Sequence, residues 1–440
     1  MAKKLGKSSG SDRISNLPSE IIDNILICLP IHEAVRTSIL SKKWRFQWSS
    51  LPHLVFDDTF YQRSIGPSVS KPNITKLFLN IFTVLLFHQG PILNFTFNLP
   101  SLRSCPQIDQ VILYLSRNEV HEIFFEIDPR HYYKIPLFLF SCVTLRRLTL
   151  SSCSVTLPLT FQGFANLISL RFEFVDFKTN VFETFISKCP SLETLFIIQS
   201  VIDNLHIDIP YLKVFEFSGD FKSIYFGKSC HHLSTVIFNE GFYADGAFKP
   251  KELFKSLPFV EHLRLGYEFV YYLIEEIMPR ELSLGCLRVL ELDIAFWYRN
   301  DIYTALCLIV SAPSLEKLHI WSFATDGETD RHAAEFLEEE KLLDHDLKKL
   351  RVVKMETGYT KAIKPELDFI KFILAGSVEL EKMFVKPYKE TVAAERHRML
   401  KKITRFRRAS KKAEIVYLDS GDSGEVSSDS SEGYDVDYAC

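Results

Sequence analysis

The apolar positions near the start of the chain repeat with the period of an α-helix. Pro18 suits the first turn of such a helix because the missing N–H costs nothing there. Pro30 ends it, because proline within a helix removes a hydrogen bond and clashes with the preceding turn. The pattern therefore predicts a first helix that begins near Leu17 and stops at Pro30. Its apolar face consists of Ile21, Ile22, Ile25, Leu26 and Leu29.

Two further short helices are predicted directly afterwards. The second spans His32 to Ile39, and Ser41 is the candidate N-cap of a third, in which Trp44 and Trp48 lie one turn apart. Three helices in about 35 residues are too few to stabilise their own core, so the cluster needs a partner or a neighbouring domain over its remaining apolar surface. The residues that we expect the second helix to bury are Ala34, Val35, Ser38 and Ile39.

The order of residues in this module closely resembles the F-box of plant F-box proteins. The resemblance covers Leu17-Pro18-x-Glu20-Ile21-Ile22, Ile25-Leu26, Leu29-Pro30, Glu33-Ala34-Val35-Arg36-Thr37-Ser38 and Leu40-Ser41-Lys42-Lys43-Trp44-Arg45. It implies a module at residues 13–50 that binds a Skp-type adaptor and, through it, the cullin of an SCF-type ubiquitin ligase. The implied adaptor-binding set, which the sequence does not divide into interface and core, is Leu17, Pro18, Ile21, Ile22, Ile25, Leu26, Leu29, Pro30, Val35, Leu40 and Trp44.

From about residue 90 onward, a short apolar motif of the form Leu-x-x-Leu-x-Leu returns every 20 to 33 residues. This spacing is typical of leucine-rich repeats, in which each unit supplies one strand and one return segment. A single unit has an apolar face that it cannot bury alone, so stacking predicts a curved solenoid with a parallel sheet on its concave side. The twelve copies begin at Ile92, Val120, Leu145, Leu167, Leu192, Leu212, Leu233, Val260, Leu287, Leu315, Leu347 and Leu380.

The return segments often have helical spacing. In one of them Phe182, Phe185 and Ile186 share a face, and Cys189-Pro190 ends the helix before the next strand. An ordinary α/β domain with many strands is the alternative, but no Gly-rich loop follows any strand. The irregular periods resemble the degenerate repeats of plant F-box proteins. We assign leucine-rich repeats of this kind to residues 51–340.

The last folded part, residues 341–418, resembles the FBD domain that follows the repeats in many plant F-box proteins. Its pattern predicts a strand, a helix from Pro365 to Ala375, a strand from Leu380 to Val385, a polar helix from Glu395 to Arg405 and a strand from Glu414 to Leu418. Such a unit would cap the open end of the solenoid. The predicted fold class is therefore α/β: a three-helix F-box, an irregular leucine-rich-repeat solenoid and an FBD-like cap.

Charge is unevenly distributed along the chain. The whole chain has a formal net charge of −3, but residues 419–440 hold seven Asp and Glu and no Lys or Arg. We predict disorder for this acidic tail and for residues 1–12, and the tail contains a phosphodegron-like string from Asp422 to Ser427. A basic group at residues 401–412 precedes the tail and leaves three roles open: nucleic-acid binding, an import signal or pairing with the tail.

The sequence offers no pattern for chemistry. It has no nucleophile elbow after any predicted strand, no complete phosphate-binding loop and no Cys-x-x-Cys pair, and Cys230-His231-His232 is a better candidate for a solvated turn than for a metal site. We therefore predict no catalytic residue, no metal and no cofactor. Nine cysteines without a disulfide pattern indicate a reducing compartment, the cytoplasm or the nucleus, and neither a signal peptide nor a membrane span is predicted.

These observations predict the substrate-recognition subunit of an SCF-type ubiquitin ligase. Its partners would be the Skp-type adaptor with its cullin and a target protein whose identity and binding residues the sequence does not indicate. We expect no membrane partner, and the modest net charge argues against nucleic acid. A repeat scaffold that does not assemble a ligase remains the alternative, and a small molecule within the solenoid also stays open.

Overall fold

The computed structural model describes residues 14, 17–65, 73–178, 180–241, 249–273, 282, 284–322, 347–358, 364–388, 391 and 393–418. The predicted disordered segments, 1–12 and 419–440, lie outside these residues. The described chain divides into two compact units, and the division falls within one strand. The first unit runs to Leu167 and includes Glu173–Asp176, and the second comprises Ile168–Phe172 and the described residues from Phe177 onward.

The first unit begins with two short α-helices, α1 (Ser19–Ile27) and α2 (Ile31–Arg36). Each follows a proline whose carbonyl accepts the first helical hydrogen bonds, Pro18 from Ile21 and Ile22, and Pro30 from Glu33 and Ala34. The predicted helix start at Pro18 is thus confirmed, whereas the first helix ends at Ile27, before the predicted end at Pro30, and Pro30 instead precedes α2. Proline fits this position because it supplies the carbonyl and its own missing N–H is not needed.

Two details of the predicted cluster are wrong. The second helix changes to a 3₁₀ turn at Thr37–Ile39, which leaves Ile39 87% exposed instead of buried. The third predicted helix is a series of turns followed by a 3₁₀ helix, Gln47–Ser50, and Ser41 Oγ caps nothing. Trp44 and Trp48 are nevertheless both buried, so their contacts with the rest of the cluster outweigh the local preference for an α-helix.

The rest of the first unit is a small parallel sheet with helices. In chain order its elements are β1 (His53–Phe56), α3 (Asp58–Ile65), α4 (Ile74–Phe87), β2 (Asn94–Leu99), α5 (Pro106–Leu115), β3 (Glu122–Ile127), β4 (Tyr133–Lys134) and β5 (Arg147–Val155). The strands follow the order β1-β2-β3-β5, and β4 pairs with the far end of β5. Helix α4 contains the apolar run Leu77–Phe87, and Asn73 caps the helix by accepting from the Lys76 N–H.

The division between the units falls in β6 (Ser169–Phe177). The second unit continues with α6 (Val181–Ser187), β7 (Thr194–Ile198), β8 (Ile202–Ile207), β9 (Val214–Phe217), β10 (Phe221–Phe226), β11 (Thr235–Phe238), α7 (Pro250–Lys255), β12 (His262–Leu265), α8 (Tyr267–Tyr272), β13 (Val289–Ile294), α9 (Arg299–Val310), β14 (Lys317–Ser322), β15 (Val352–Glu356), α10 (Lys364–Gly376), β16 (Lys382–Lys386), α11 (Ala393–Ile403) and β17 (Glu414–Tyr417). Its main sheet is parallel throughout, in the order β7-β9-β11-β12-β13-β14-β15-β16-β17.

The predicted repeat motifs correspond to these strands. Each of the twelve copies begins two residues before a strand, except the copy at Leu347, which begins five residues before β15. The registers align the same motif position from strand to strand, so Leu263, Leu290 and Leu318 form one buried row. One strand and one return segment per unit, stacked in parallel, is the leucine-rich-repeat arrangement that the spacing predicted.

Two return segments form strands that the sequence analysis did not predict. β8 and β10 pair in parallel as a separate two-stranded sheet, from Phe221 opposite Ile202 to Phe226 opposite Ile207. Gly219 makes this arrangement possible: its φ is +131°, and a Cβ at that position would lie 2.1 Å from the Ser200 carbonyl oxygen. Any other residue there would be strained and would clash with the backbone.

The FBD-like part has the predicted order of elements. A strand (β15), a helix (α10), a strand (β16), a polar helix (α11) and a last strand (β17) follow one another, with boundaries that differ from the predicted ones by a few residues. β15, β16 and β17 continue the sheet of the repeats, and β17 is the last strand in the sheet order. The FBD-like part therefore extends the same parallel sheet.

Candidate functional site

Helix α1 separates its apolar residues into two neighbouring stripes. Ile22 and Leu26 are fully buried in the first unit. Pro18, Ile21 and Ile25 are exposed, with 44% of Ile21 and 39% of Ile25 accessible. We call these three residues the helix-one stripe. The structure thus divides a set of apolar residues that the sequence analysis left undivided.

The other residues implied for adaptor binding are distributed between surface and core. Trp44 is buried, and its Nε1 donates to the Ile14 carbonyl oxygen at 3.1 Å, so it anchors the segment before α1 instead of facing outward. Lys43 also donates to the Leu17 carbonyl oxygen. Leu17, Leu29 and Val35 are half-buried, whereas Pro30 and Leu40 are exposed.

A second surface lies on the sheet of the second unit. Along β12 to β15, buried residues alternate with residues that remain accessible on one face of the sheet. The pairing registers place Arg264 opposite Glu291, Glu291 opposite His319, and His319 opposite Lys354. We call this surface the open face. Its polar and aromatic residues are His262, Arg264, Glu291, Asp293, His319, Trp321, Lys354, Glu356 and, on β16, Lys386.

Trp321 lies at the centre of the open face and contacts two basic side chains. The Arg264 guanidinium carbon is 4.5 Å from the centroid of the Trp321 ring, which is cation–π distance. The His319 ring centroid is 3.4 Å from that of Trp321. These contacts hold the indole in place while leaving part of it accessible.

Glu291 connects two neighbouring strands on the amino-terminal side of Trp321. Its carboxylate lies 3.0 Å from His262 Nε2 and 3.7 Å from an Arg264 nitrogen. Burial acts to raise the pKa of Glu291, but the hydrogen bond from His262 and the nearby charges outweigh burial, so the pKa lies below its ordinary value. The carboxylate is therefore charged at neutral pH and orients both basic side chains.

Glu356 has the same role on the other side of Trp321. His319 contributes most to lowering its pKa to about 2, and Lys354 contributes next, against the opposing effect of burial. The distances are 3.2 Å to Lys354 Nζ, 3.6 Å to His319 Nε2 and 3.7 Å to Lys386 Nζ. At 3.6 Å the His319 contact is longer than an ordinary hydrogen bond, and burial lowers the pKa of His319, so the two lysines supply the positive charge beside Glu356.

The two ends of the open face carry opposite charge. Burial raises the pKa of Asp293 to about 6, and the negative charges of Glu268, Glu291 and Glu240 act in the same direction, against Arg264. Acidic groups therefore dominate around β11 to β13. On β14 to β16, lysines outnumber the single carboxylate, Glu356: they are Lys317, Lys354, Lys382 and Lys386. The open face therefore has an acidic end and a basic end, which a partner would have to match with opposite charges.

Three buried polar atoms of this region have no hydrogen-bond partner among the described residues. They are Nε of Arg264, Nε2 of His319 and Oε2 of Glu268. A buried polar group without a partner costs free energy, and a bound molecule can supply the missing hydrogen bonds. The sequence analysis did not assign these residues, although Arg264 and His319 occupy x positions between the repeat leucines, and Glu268 lies in α8.

The first unit has a cavity that bears on small-molecule binding. It lies between apolar side chains of β2, β3 and α5, including Phe97, Ile112 and Phe125, and measures about 10 Å³, the size of a single water-sized sphere. It has no room for a small organic molecule.

Cys230, His231 and His232 do not converge on one point. Cys230 is buried and exchanges hydrogen bonds with the backbone of Ile207 and Ile209, whereas the two histidines are exposed and lie against each other. In the part of the chain that the structure describes, no group of His, Cys, Asp and Glu has the arrangement of a metal site. In the same residues, no helix is both long and apolar enough to cross a bilayer.

Comparison with known proteins matches two segments of the chain to family models. The F-box domain family model matches residues 14–56. A repeat family described as "FBD-associated F-box protein At5g56370, LRR repeats" matches residues 108–249. The F-box match includes the helix-one stripe, and the repeat match runs from α5 to beyond β11.

Two of three relatives from Arabidopsis thaliana match over nearly the full length, and the third matches over less than half. The F-box/FBD/LRR-repeat protein At1g13570 is 32% identical over 92% of this chain and 98% of its own length. The F-box/FBD/LRR-repeat protein At3g26920 is 25% identical over 94% and 99% of the two chains. The putative F-box/FBD/LRR-repeat protein At4g13965 is 34% identical over 42% of each chain. The chain therefore belongs to the F-box/FBD/LRR-repeat family of plant proteins.

Proposed function

We propose that this F-box protein is the substrate-recognition subunit of an SCF-type ubiquitin ligase. The helix-one stripe binds a Skp-type adaptor, which links the chain to a cullin, and the open face binds the protein to be ubiquitinated. The observation that carries the proposal is the division at α1: Ile22 and Leu26 form the core, while Ile21, Ile25 and the preceding Pro18 are exposed.

The energetics of the helix-one stripe favour a protein partner. Ile21 and Ile25 are four residues apart and therefore adjacent on the helix surface. Covering apolar area stabilises a complex by about 25 cal/mol per Å² before the costs of association. Exposed Leu40 and Pro30 add apolar surface in the same module, consistent with an interface larger than α1 alone.

The proposal is tested by binding of the full chain to a Skp-type adaptor. We expect the wild type to bind and an Ile21→Asp/Ile25→Asp variant to lose binding, because two carboxylates cannot be buried in an apolar interface without a partner. Leu79→Asp/Leu86→Asp is the matched control, since these leucines are also exposed on one helix, α4. Equal binding by wild type and the Ile21/Ile25 variant would rule out the helix-one stripe as the contact.

A Leu17→Ala/Pro18→Ala variant, measured in the same binding assay, tests whether the start of the module contributes to adaptor binding. Failure of the wild type itself to bind any Skp-type adaptor would favour the alternative function, a repeat scaffold that does not assemble a ligase. Adaptor binding distinguishes the two functions, because only ligase assembly requires an exposed helix-one stripe.

The open face is proposed as the surface that holds the target. Its support is the partly accessible Trp321, the paired charges around it and the three buried polar atoms without partners. Aromatic and arginine side chains of this kind supply much of the binding energy at protein interfaces. The arrangement favours a protein segment with its own hydrogen-bonding groups over a purely apolar one.

The target-binding proposal is tested by comparing which proteins each variant ubiquitinates in plant cell extract. We expect Trp321→Ala to lose a ubiquitinated protein that the wild type retains. Tyr225→Ala is the control, because Tyr225 is an exposed aromatic residue on β10, outside the open face. An unchanged set of ubiquitinated proteins in the Trp321 variant would contradict this part of the proposal.

The proposed contribution to catalysis is proximity. Holding a target beside the ubiquitin carrier raises their effective concentration and requires no bond-making side chain of this chain. We place this activity in the cytoplasm or the nucleus, where the nine cysteines, which lack a disulfide pattern, would stay reduced.

A further inference from the structure

The FBD-like end carries a concentrated positive surface. We call its seven exposed basic residues the cationic surface: Lys401, Lys402, Arg405, Arg407, Arg408, Lys411 and Lys412. The first two lie in the last turn of α11, and the others lie in the connection from α11 to β17. Neither the proposed ligase assembly nor the open face uses these residues.

The connection that presents the cationic surface is held by hydrogen bonds to neighbouring elements. The Ala409 N–H donates to the Leu374 carbonyl oxygen at 2.9 Å, and Ser410 Oγ, which is buried, donates to the Leu380 carbonyl oxygen at 2.7 Å. Arg408 donates to the Ala413 carbonyl oxygen at 2.8 Å. The backbone is therefore fixed, and the charges project from a defined surface.

This positive charge lacks compensation nearby. Residues 393–418 contain nine Lys and Arg against two Glu, a net charge of +7. Among the described residues, no ion pair joins any of the seven basic side chains to a carboxylate. Like charges at this density repel one another, so an anionic partner would stabilise the surface.

The chain itself contains an acidic segment whose net charge is equal in magnitude and opposite in sign. Residues 419–440 follow β17 directly and contain seven carboxylates and no basic residue, a net charge of −7 from side chains. The carboxylates are Asp419, Asp422, Glu425, Asp429, Glu432, Asp435 and Asp437. β17 is four residues long, about 13 Å, whereas 22 residues can span up to about 70 Å.

We propose that residues 419–440 bind the cationic surface of their own chain. The charges are equal and opposite, the segment starts one strand away from the surface, and the short connection gives an effective concentration in the millimolar range. Bound in this way, the tail keeps other polyanions, such as nucleic acid, away from the FBD-like end. This proposal is independent of adaptor binding and of the open face.

The test measures binding of a fluorescent peptide of residues 419–440 to the full chain. A neutral-tail variant replaces the seven tail carboxylates with Asn or Gln, which keeps the chain length and frees the cationic surface. We expect this variant to bind the peptide and the wild type to bind it at least roughly tenfold more weakly, because its own tail occupies the surface. Raising the salt concentration to about 1 M should weaken binding by roughly tenfold or more.

Two matched sets of substitutions locate the binding surface. In the neutral-tail variant, Lys401→Glu/Lys402→Glu/Arg405→Glu should abolish peptide binding. The control set, Lys76→Glu/Arg103→Glu/Lys134→Glu, reverses three exposed basic residues of the first unit and should leave binding unchanged. A peptide whose own carboxylates are replaced by amides should not bind, and this last experiment does not depend on how a protein variant folds.

Two outcomes would overturn the proposal. The first is equal binding of the peptide by the wild type and the neutral-tail variant, which would mean that the tail does not occupy the surface. The second is no peptide binding by the neutral-tail variant when a single-stranded RNA does bind it, which would assign the cationic surface to nucleic acid.

Discussion

The helix-one stripe and the open face differ in nearly every physical respect. The first is a set of exposed apolar side chains on a short helix, and the second is a set of half-buried charges arranged around one tryptophan. An apolar stripe binds through area and shape and has little to distinguish one apolar partner from another. Paired charges add little affinity but penalise wrong partners strongly. Under the proposed function, the chain therefore separates a contact common to many partners from a selective one.

The largest expected effect tests whether α1 truly divides core from surface. Leu26→Ala should destabilise the F-box module by about 2–5 kcal/mol, because it leaves a cavity at a fully buried position. Ile25→Ala, one residue away, should cost well under about 1 kcal/mol because Ile25 is already exposed. Urea unfolding followed by tryptophan fluorescence measures both. Similar losses for the two variants would abolish the distinction between core and helix-one stripe.

A buried carboxyl in the second unit provides the next largest effect. Burial raises the pKa of Glu366 to about 7, while Ser322 Oγ and the Gly358 N–H donate to one of its oxygens. The raised pKa means that stability falls as the pH rises from about 4.5 to about 7. Glu366→Gln removes this loss, so we expect it to be more stable than the wild type at pH 8 by up to about 3 kcal/mol.

The measurement for Glu366 is the thermal midpoint at pH 5 and pH 8. The gain should be large at pH 8 and small at pH 5, where the wild-type carboxyl is already protonated. A gain of the same size at both values would show that the carboxyl is not the cause. Glu366 contrasts with Glu356 of the open face, whose neighbours lower its pKa instead.

A smaller effect is expected for the charges of the open face. The pKa of Glu356 is lowered to about 2, so its contribution to stability is complete above about pH 4.5 and disappears as the pH falls toward 2. Glu356→Gln should therefore cost about 1 kcal/mol at neutral pH, once solvent screening is allowed for, and nothing near pH 2. Urea unfolding at several pH values measures this. A pH-independent difference would mean that the charge of Glu356 is irrelevant to its role.

The smallest effect concerns an ion pair at the periphery of the sheet. Lys213 Nζ lies 2.7 Å from Glu193, but both side chains are well exposed. Lys213→Ala should change stability by less than about 0.5 kcal/mol, because water and salt screen such a pair. Chemical denaturation at low and high salt measures the change. A loss of stability as large as that of Glu356→Gln would show that the half-buried setting of the open face does not strengthen its ion pairs.

Periodicity predicted most of the backbone because burial and secondary structure share one pattern in a repeat. The leucines at Leu287 and Leu315 lie just before their strands because each repeat uses the same register. Local turns were harder to predict. Ser41 has the residue type of an N-cap, yet the burial of Trp44 and its hydrogen bond to Ile14 determine the local backbone instead. No short-range pattern contains that contact.

The candidate sites were predictable to different degrees. The apolar set of the F-box was recognisable from residue order, but its division into Ile21 and Ile22, one exposed and one buried, depends on which side of α1 meets the core. The open face was not predictable, because Arg264 and Trp321 are 57 positions apart in the sequence and meet only through strand stacking. Residues at the x positions carry no periodic signal of their own.

The second sheet, β8 with β10, has a consequence for how the molecule opens. The two repeats that contain these strands are joined by hydrogen bonds on the main sheet, between β7 and β9, and again on their return segments, between β8 and β10. Neither can separate from the other without breaking both ladders. In hydrogen exchange, the amides of Leu205 and Phe215 should therefore exchange through one shared opening event, as a single cooperative block within the array.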